Sequence, residues 1–148
     1  VTLHLVGSRG FSHEMARHGD NTAISQRSTR YVDESSALMR WHPLLAEHDL
    51  VRDGTMIHPP DEVSSMAASS YRELVERLVK TGASRKQVRG AARGVLPNAL
   101  ETQLIFSASV KQWEHIFSMR CGEAADAEIR SIMMWARDSV AAIKDTEL

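Results

Sequence analysis

The chain has 148 residues, 18 Lys and Arg against 19 Asp and Glu, and a formal charge of −1. That length suits one globular domain able to bury a core without disulfides or metal, and 43% hydrophobic residues argue against disorder. The balanced charge argues against a generic nucleic-acid or membrane-surface binder, no apolar run approaches the ~20 residues of a membrane span, and a single cysteine excludes an internal disulfide. No signal-peptide pattern opens the chain, so the cytoplasm is the expected compartment. The first residues already read as the middle of a structure, so an upstream segment is expected.

In chain order, Val1, Leu3 and Leu5 alternate with Thr2, His4 and Val6, which predicts a strand ending at Gly7. Ser12 to His18 reads as a short helical segment, and Gly19-Asp20-Asn21 as a turn. Residues 23–31 fit neither period and read as an ordered loop opening into a helix. His42-Pro43 begins a second stretch, and Arg52-Asp53-Gly54 marks another turn. A long helix is predicted from Asp61 to Thr81, started by Pro59-Pro60-Asp61 and stopped by Gly82. Its inward positions are Val63, Met66, Ala67, Tyr71, Leu74, Val75 and Leu78. Ser84 and Gln87 form a capping box for a helix over 85–93. Thr102 to Val110 alternates as a strand with Leu104, Phe106, Ala108 and Val110 on one side. Lys111 to Arg120 turns helical with Trp113, Ile116 and Phe117 inward. A last helix over 123–143 buries Ala125, Ile129, Ile132, Met133, Ala136, Val140 and Ile143. The sum is α+β, with no internal repeat.

Several groups could carry chemistry. Arg17-His18, followed by Ser25-Gln26-Arg27-Ser28-Thr29-Arg30-Tyr31, supplies arginine forks, hydroxyls and turn amides suited to a phosphate; a solvated polar loop has the same composition. Arg85, Arg89 and Arg93 recur at four-residue steps along one helix face, as a phosphate or RNA contact or as a solvent-facing basic stripe. Arg93 precedes the apolar Val95-Leu96-Pro97, where a half-buried arginine needs a partner. Arg120 ends an apolar helical face, either capping that helix or polarising a carbonyl in a pocket. The histidines lack metal-ligand spacing. Arg120 beside Cys121 could lower the thiol pKa, but with no paired base Cys121 reads as packed core. No glycine-rich phosphate loop, dinucleotide fingerprint or nucleophile elbow is present.

Taken in order, these segments resemble the flavin-dependent thymidylate synthases, whose signature is Arg-His-Arg-x-x-Ser-x-Asn-x-x-Ser-x-Arg-Tyr. Arg17-His18 and then Ser25 to Tyr31 follow it, with Ser25-Gln26 in place of Asn-Glu. The series continues through Ala92-Arg93-Gly94-Val95-Leu96-Pro97, Thr102, Met119-Arg120 and Ala127-Glu128-Ile129-Arg130, so it spans residues 8–130. The chain departs at Gly19, where the second arginine is missing, and the His18–Tyr31 interval is one residue longer. Ser109-Val110-Lys111 stands for the family's Asn-x-Arg, and Ala124 and Asp126 for a later His and Gln.

The resemblance implies a single domain over residues 1–148 that lacks the N-terminal part of the family fold. Its architecture would be a twisted antiparallel sheet flanked by helices, in a homotetramer with active sites between subunits. It implies reductive C5 methylation of dUMP to dTMP, with methylenetetrahydrofolate as one-carbon donor, FAD as cofactor and NADPH as reductant. Glu14, Arg17, Gln26, Arg27, Ser28, Thr29, Arg30 and Arg93 would bind the nucleotide, with Glu14 and Arg17 on one helix face. Arg120 would bind the pyrimidine and act catalytically. Arg17, His18, Ser25, Gln26, Ser109, Lys111 and His115 would face the flavin. Two alternatives stand beside this: a UMP methylase of nucleoside-antibiotic biosynthesis, and a non-catalytic nucleotide- or RNA-binding domain.

Overall fold

The computed structural model describes residues 1–36, 38–47, 51–52, 55–56 and 60–146. Its elements are β1 (Thr2–Ser8), α1 (Arg9–Met15), β2 (Thr22–Gln26), α2 (Pro43–Glu47), β3 (Val51–Arg52), β4 (Thr55–Met56), α3 (Pro60–Val79), α4 (Arg85–Ala92), β5 (Glu101–Ala108), α5 (Val110–Arg120) and α6 (Ala127–Thr146). Short 3₁₀ turns, Ala16–His18 and Arg93–Val95, follow α1 and α4. The chain is α+β and divides into two compact units: residues 1–26 with 102–148, and residues 27–101.

The first unit is built on a three-stranded sheet of order β1-β5-β2. Val1 and Ala108 exchange hydrogen bonds in both directions, and β2 runs antiparallel to β5 with Ile24 opposite Phe106 and Gln26 opposite Leu104. The alternation predicted for β1 and β5 is realised: Leu3, Leu5, Leu104, Phe106 and Ala108 are buried on one face. Against them pack Phe11 and Met15 of α1, Trp113, Ile116 and Phe117 of α5, and Ile129, Met133, Ala136 and Val140 of α6. The Trp113 ring lies 5.2 Å from Phe106 and 5.5 Å from Phe117, and its indole N–H donates to the Val1 carbonyl at 3.1 Å. Burial of each large side chain contributes about 1.5–3 kcal/mol, so this cluster dominates the unit's stability. Gly7 is required by close approach, because a Cβ there would lie 2.5 Å from Phe11 Cδ1 and 2.9 Å from Ile132 Cδ1.

The second unit holds α3 packed on α4, with Ala67, Tyr71, Val88, Ala92 and Leu100 buried. Ser84 and Gln87 form the capping box as predicted, and α4 begins one residue after it. Gly82 stands at φ +79°, a left-handed conformation suited to glycine after a helix.

Several boundaries differ from expectation. Residues 23–31 do not open into a helix: the first four of them belong to β2, and Ser28 to Val32 form a turn. Both faces of β2 are largely exposed, so burial never imprinted a period of two on its sequence. The first helix starts at Arg9 rather than near Ser12 because Ser8 caps it, its hydroxyl accepting the Phe11 N–H. Val110 leaves the strand and opens α5, since the Ser109 hydroxyl takes the Gln112 N–H and ends the pairing. The last helix starts at Ala127, behind a turn closed by Ala125 N–H on the Gly122 carbonyl. Met66 and Ile143 are exposed, at the edges of faces whose centres are filled by Ala67 with Tyr71 and by Val140. Asp53, Gly54 and Pro59 lie outside the described residues.

Candidate functional site

In the first unit, α1 and its trailing 3₁₀ turn carry Glu14, Arg17 and His18, while α5 carries His115 and Arg120. Arg120 is the last residue of α5, where a side chain can cap its own helix. Instead it extends sideways: Nε–H donates to His18 Nε2 at 3.0 Å, and Nη1 donates to Glu14 Oε2 at 2.8 Å. The pair is partly solvent-exposed, with Arg120 at 19% and Glu14 at 27%, so its net worth to folding is about 0–1 kcal/mol. Orientation of the guanidinium is the larger consequence. His18 is buried, and that burial lowers its pKa from 6.5, with the charges of Arg120 and His115 acting in the same direction. It is therefore a neutral imidazole, as an acceptor from arginine must be.

The other flavin candidates belong to the same unit. Arg17 and Lys111 are exposed and have no ionic partner among the described residues. Ser25 is exposed on β2 opposite Ile105, and His115 is exposed on α5 close enough to His18 to affect its titration. The Ser109 hydroxyl is committed to capping α5. Gln26 donates its amide to Ser12 Oγ at 3.0 Å and Thr102 Oγ1 at 3.2 Å, which fixes the end of β2.

In the second unit the motif residues 27–34 form a tied segment. Tyr31 and Val32 both donate their N–H groups to the Ser28 carbonyl, closing a tight turn. Arg93 Nη1 reaches Thr29 Oγ1 at 3.3 Å, while Arg89 donates to the Tyr31 carbonyl at 2.6 Å and the Asp33 carboxylate at 3.0 Å. The arginine stripe is thus not a uniform solvent-facing face: Arg89 is half-buried and holds this segment, whereas Arg93, expected to be half-buried, is exposed like Arg85 and keeps only its contact with Thr29. Arg30 and Lys86 lie over the Tyr31 ring at 5.9 and 5.3 Å, and the Lys86 interaction is the chief reason the phenol's pKa is lowered. The Ser28 and Thr29 N–H groups make no hydrogen bond among the described residues, and they lie in the same turn as the Arg93 contact.

Arg27 turns inward. Its Nη2 bonds Glu34 Oε2 at 2.8 Å, and Glu34 is only 1% exposed. Its Nε is buried and has no partner among the described residues. The segment is also held by Glu34 N–H on the Tyr71 hydroxyl at 3.4 Å and by Arg72 on the Ser35 carbonyl. Sequence reading missed Glu34, Asp33 and Tyr71 as parts of this assembly. The only available signal was an acidic residue seven positions after Arg27, too ordinary a spacing to notice. Cys121 packs against the apolar cluster and burial raises its pKa, so the proximity of Arg120 in sequence does not activate it.

The arrangement thus defines an α+β chain carrying an oriented arginine in one unit and an arginine-tied turn in the other. A family model described as "Thymidylate synthase complementing protein" matches residues 1–143. The chain belongs to that family. It is 34% identical over 151 aligned residues to the flavin-dependent thymidylate synthase of Mycobacterium tuberculosis (strain ATCC 25618 / H37Rv), covering 97% of this chain and 58% of that protein. It is 36% identical over 133 residues to the probable flavin-dependent thymidylate synthase of Mycobacterium phage L5, covering 89% and 54%. The enzyme of that name from Mycobacteroides abscessus is 34% identical over 140 residues, again covering 89% and 54%. The chain spans little more than half the length of these relatives.

Proposed function

We propose that this chain carries the nucleotide-handling part of an enzyme that methylates C5 of dUMP, giving dTMP. The observation that carries the proposal is the turn at Ser28–Val32: among the described residues the Ser28 and Thr29 N–H groups have no hydrogen bond, and Arg93 is held on the Thr29 hydroxyl. Successive free amides with a fixed guanidinium make an anion grip, and a nucleotide monophosphate presents a doubly charged anion. Arg30, exposed at the same turn, adds a second cation. Arg27 supports the turn from within through Glu34 rather than binding phosphate itself.

Arg120 is assigned to the uracil ring. C5 becomes nucleophilic as negative charge builds on the ring's amide oxygens, and a fixed guanidinium stabilises that charge, as oxyanion-hole donors do. Catalysis then needs no protein nucleophile, in keeping with the half-buried Cys121, whose pKa burial raises. The methyl carbon would come from methylenetetrahydrofolate and the reducing equivalents from NADPH.

The donor set of the first unit suits a flavin dinucleotide, because Arg17 and Lys111 are exposed cations without an ionic partner among the described residues, and Ser25 and His115 are exposed in the same unit. FAD, when bound, supplies the electron transfer that no side chain can provide. We place the protein in the cytoplasm as a homotetramer whose active sites lie between subunits. An absorbance spectrum of the protein, taken before and after adding dUMP and UMP separately, tests the reading. Flavin bands that shift with dUMP support it; a shift with UMP alone reassigns the substrate, and a colourless nucleotide binder leaves only the non-catalytic reading.

A further inference from the structure

We propose that Glu14 and His18 are positioning residues for Arg120, holding two edges of its guanidinium so that the Nη2 edge is presented to the uracil ring. The inference rests on the assignment of Arg120 to that ring. A guanidinium carries five N–H donors in a rigid planar fork. Here Nε–H is committed to His18 Nε2 at 3.0 Å and Nη1 to Glu14 Oε2 at 2.8 Å. The Nη2 group has no partner among the described residues, so its donors are the ones left for a substrate carbonyl.

The two anchors lie 102 and 106 residues away in sequence, on the 3₁₀ turn and on α1, so they act as an external clamp on the end of α5. An unanchored arginine at a helix end would sample many rotamers, and ordering it on substrate binding would cost rate. The ion pair is too exposed to be explained by what it adds to folding. Glu14 therefore acts on the nucleotide through Arg120 rather than by touching it.

His18 can serve only as a neutral imidazole with its proton on Nδ1. The charged and titratable groups around it are Arg120 and His115 on α5, with Glu14 on α1 reaching the same guanidinium. Protonation of His18 would set a second cation against Arg120 and break the bond.

A double-mutant cycle in the assembled enzyme tests this, reading release of tritium from dUMP labelled at C5. Glu14→Gln alone is expected to lower kcat by about tenfold with KM changed less than about twofold, and Glu14→Asp to recover part of the loss. In an Arg120→Lys background the same Glu14→Gln change is expected to cost less than about twofold, because residues acting as a unit are not additive. Full additivity would mean that Glu14 contacts the substrate itself and would overturn the proposal. Arg120→Lys and Arg120→Ala variants that both turn over like the parent would instead overturn the ring assignment beneath it. A second measurement is independent of turnover: ¹⁵N shifts of the histidine ring at pH 7 should show His18 neutral with its proton on Nδ1, and that signature should weaken in Arg120→Ala. A proton on Nε2 in the parent protein excludes the clamp.

Discussion

The Glu128 carboxylate accepts both the backbone N–H of Ser8, at 2.7 Å, and its hydroxyl, at 2.6 Å. Ser8 is the N-cap of α1, so a residue 120 positions away fixes the cap of the helix that carries Glu14. The Ala127-Glu128-Ile129-Arg130 segment thereby acquires a structural reason within this chain. Glu128→Ala leaves the two Ser8 donors without their acceptor and should destabilise the first unit by about 1–3 kcal/mol. Urea denaturation of the two proteins measures this, and unchanged stability would mean that water replaces the carboxylate without loss.

Arg93→Ala should weaken nucleotide binding by about 1.5–3 kcal/mol, the worth of a hydrogen bond to a charged group. Arg85→Ala, at the far end of the preceding helix α4 and without contact to the Ser28–Val32 turn among the described residues, should leave it unchanged. Calorimetric titration with dUMP separates the two, and equal losses would return both residues to a diffuse basic surface.

Arg27→Ala removes the cation bonded to a carboxylate that is 1% exposed, and breaking such a pair costs about 3–5 kcal/mol. Chemical denaturation of parent and variant at pH 7 measures the loss, and equal stability would mean that the pair adds nothing to folding.

The titration of His18 makes the stability of the first unit depend on pH. Its folded-state pKa is lowered from 6.5 by burial first, so the unfolded chain binds more protons in the window between the two values. This residue should add nothing to the pH dependence above 6.5 and should lose stability progressively below it, until the folded-state pKa is passed. His18→Gln, which needs no deprotonation, should flatten that part of the stability–pH curve; an unaltered curve would place the titration elsewhere.

Cys121, its thiol pKa raised by burial, should react slowly with iodoacetamide at pH 7, and Cys121→Ser should keep its activity. Rapid alkylation or a dead serine variant would reopen a nucleophilic role.

The sequence by itself determined the elements whose burial leaves a periodic trace. The core faces of β1, β5, α5 and the centre of α6 follow from the spacing of Leu3, Leu5, Leu104, Phe106, Trp113, Ile116, Ile129 and Met133, and α4 from the box at Ser84 and Gln87. Local chemistry also marked Arg93 as an arginine needing a partner and left Arg120 between capping its helix and polarising a carbonyl. The identity of their partners was decided by tertiary structure alone. Glu14 and His18 meet Arg120 only after α1 and α5 pack in the same unit, and Arg27 and Glu34 meet only when the Ser28–Val32 turn closes. The exposed strand β2 escaped for a related reason: without a buried face, its side chains carry no alternation, and pairing with β5 makes it a strand through backbone bonds. Periodicity records which residues leave water along one element; long-range polar contacts join different elements and leave no such spacing to read.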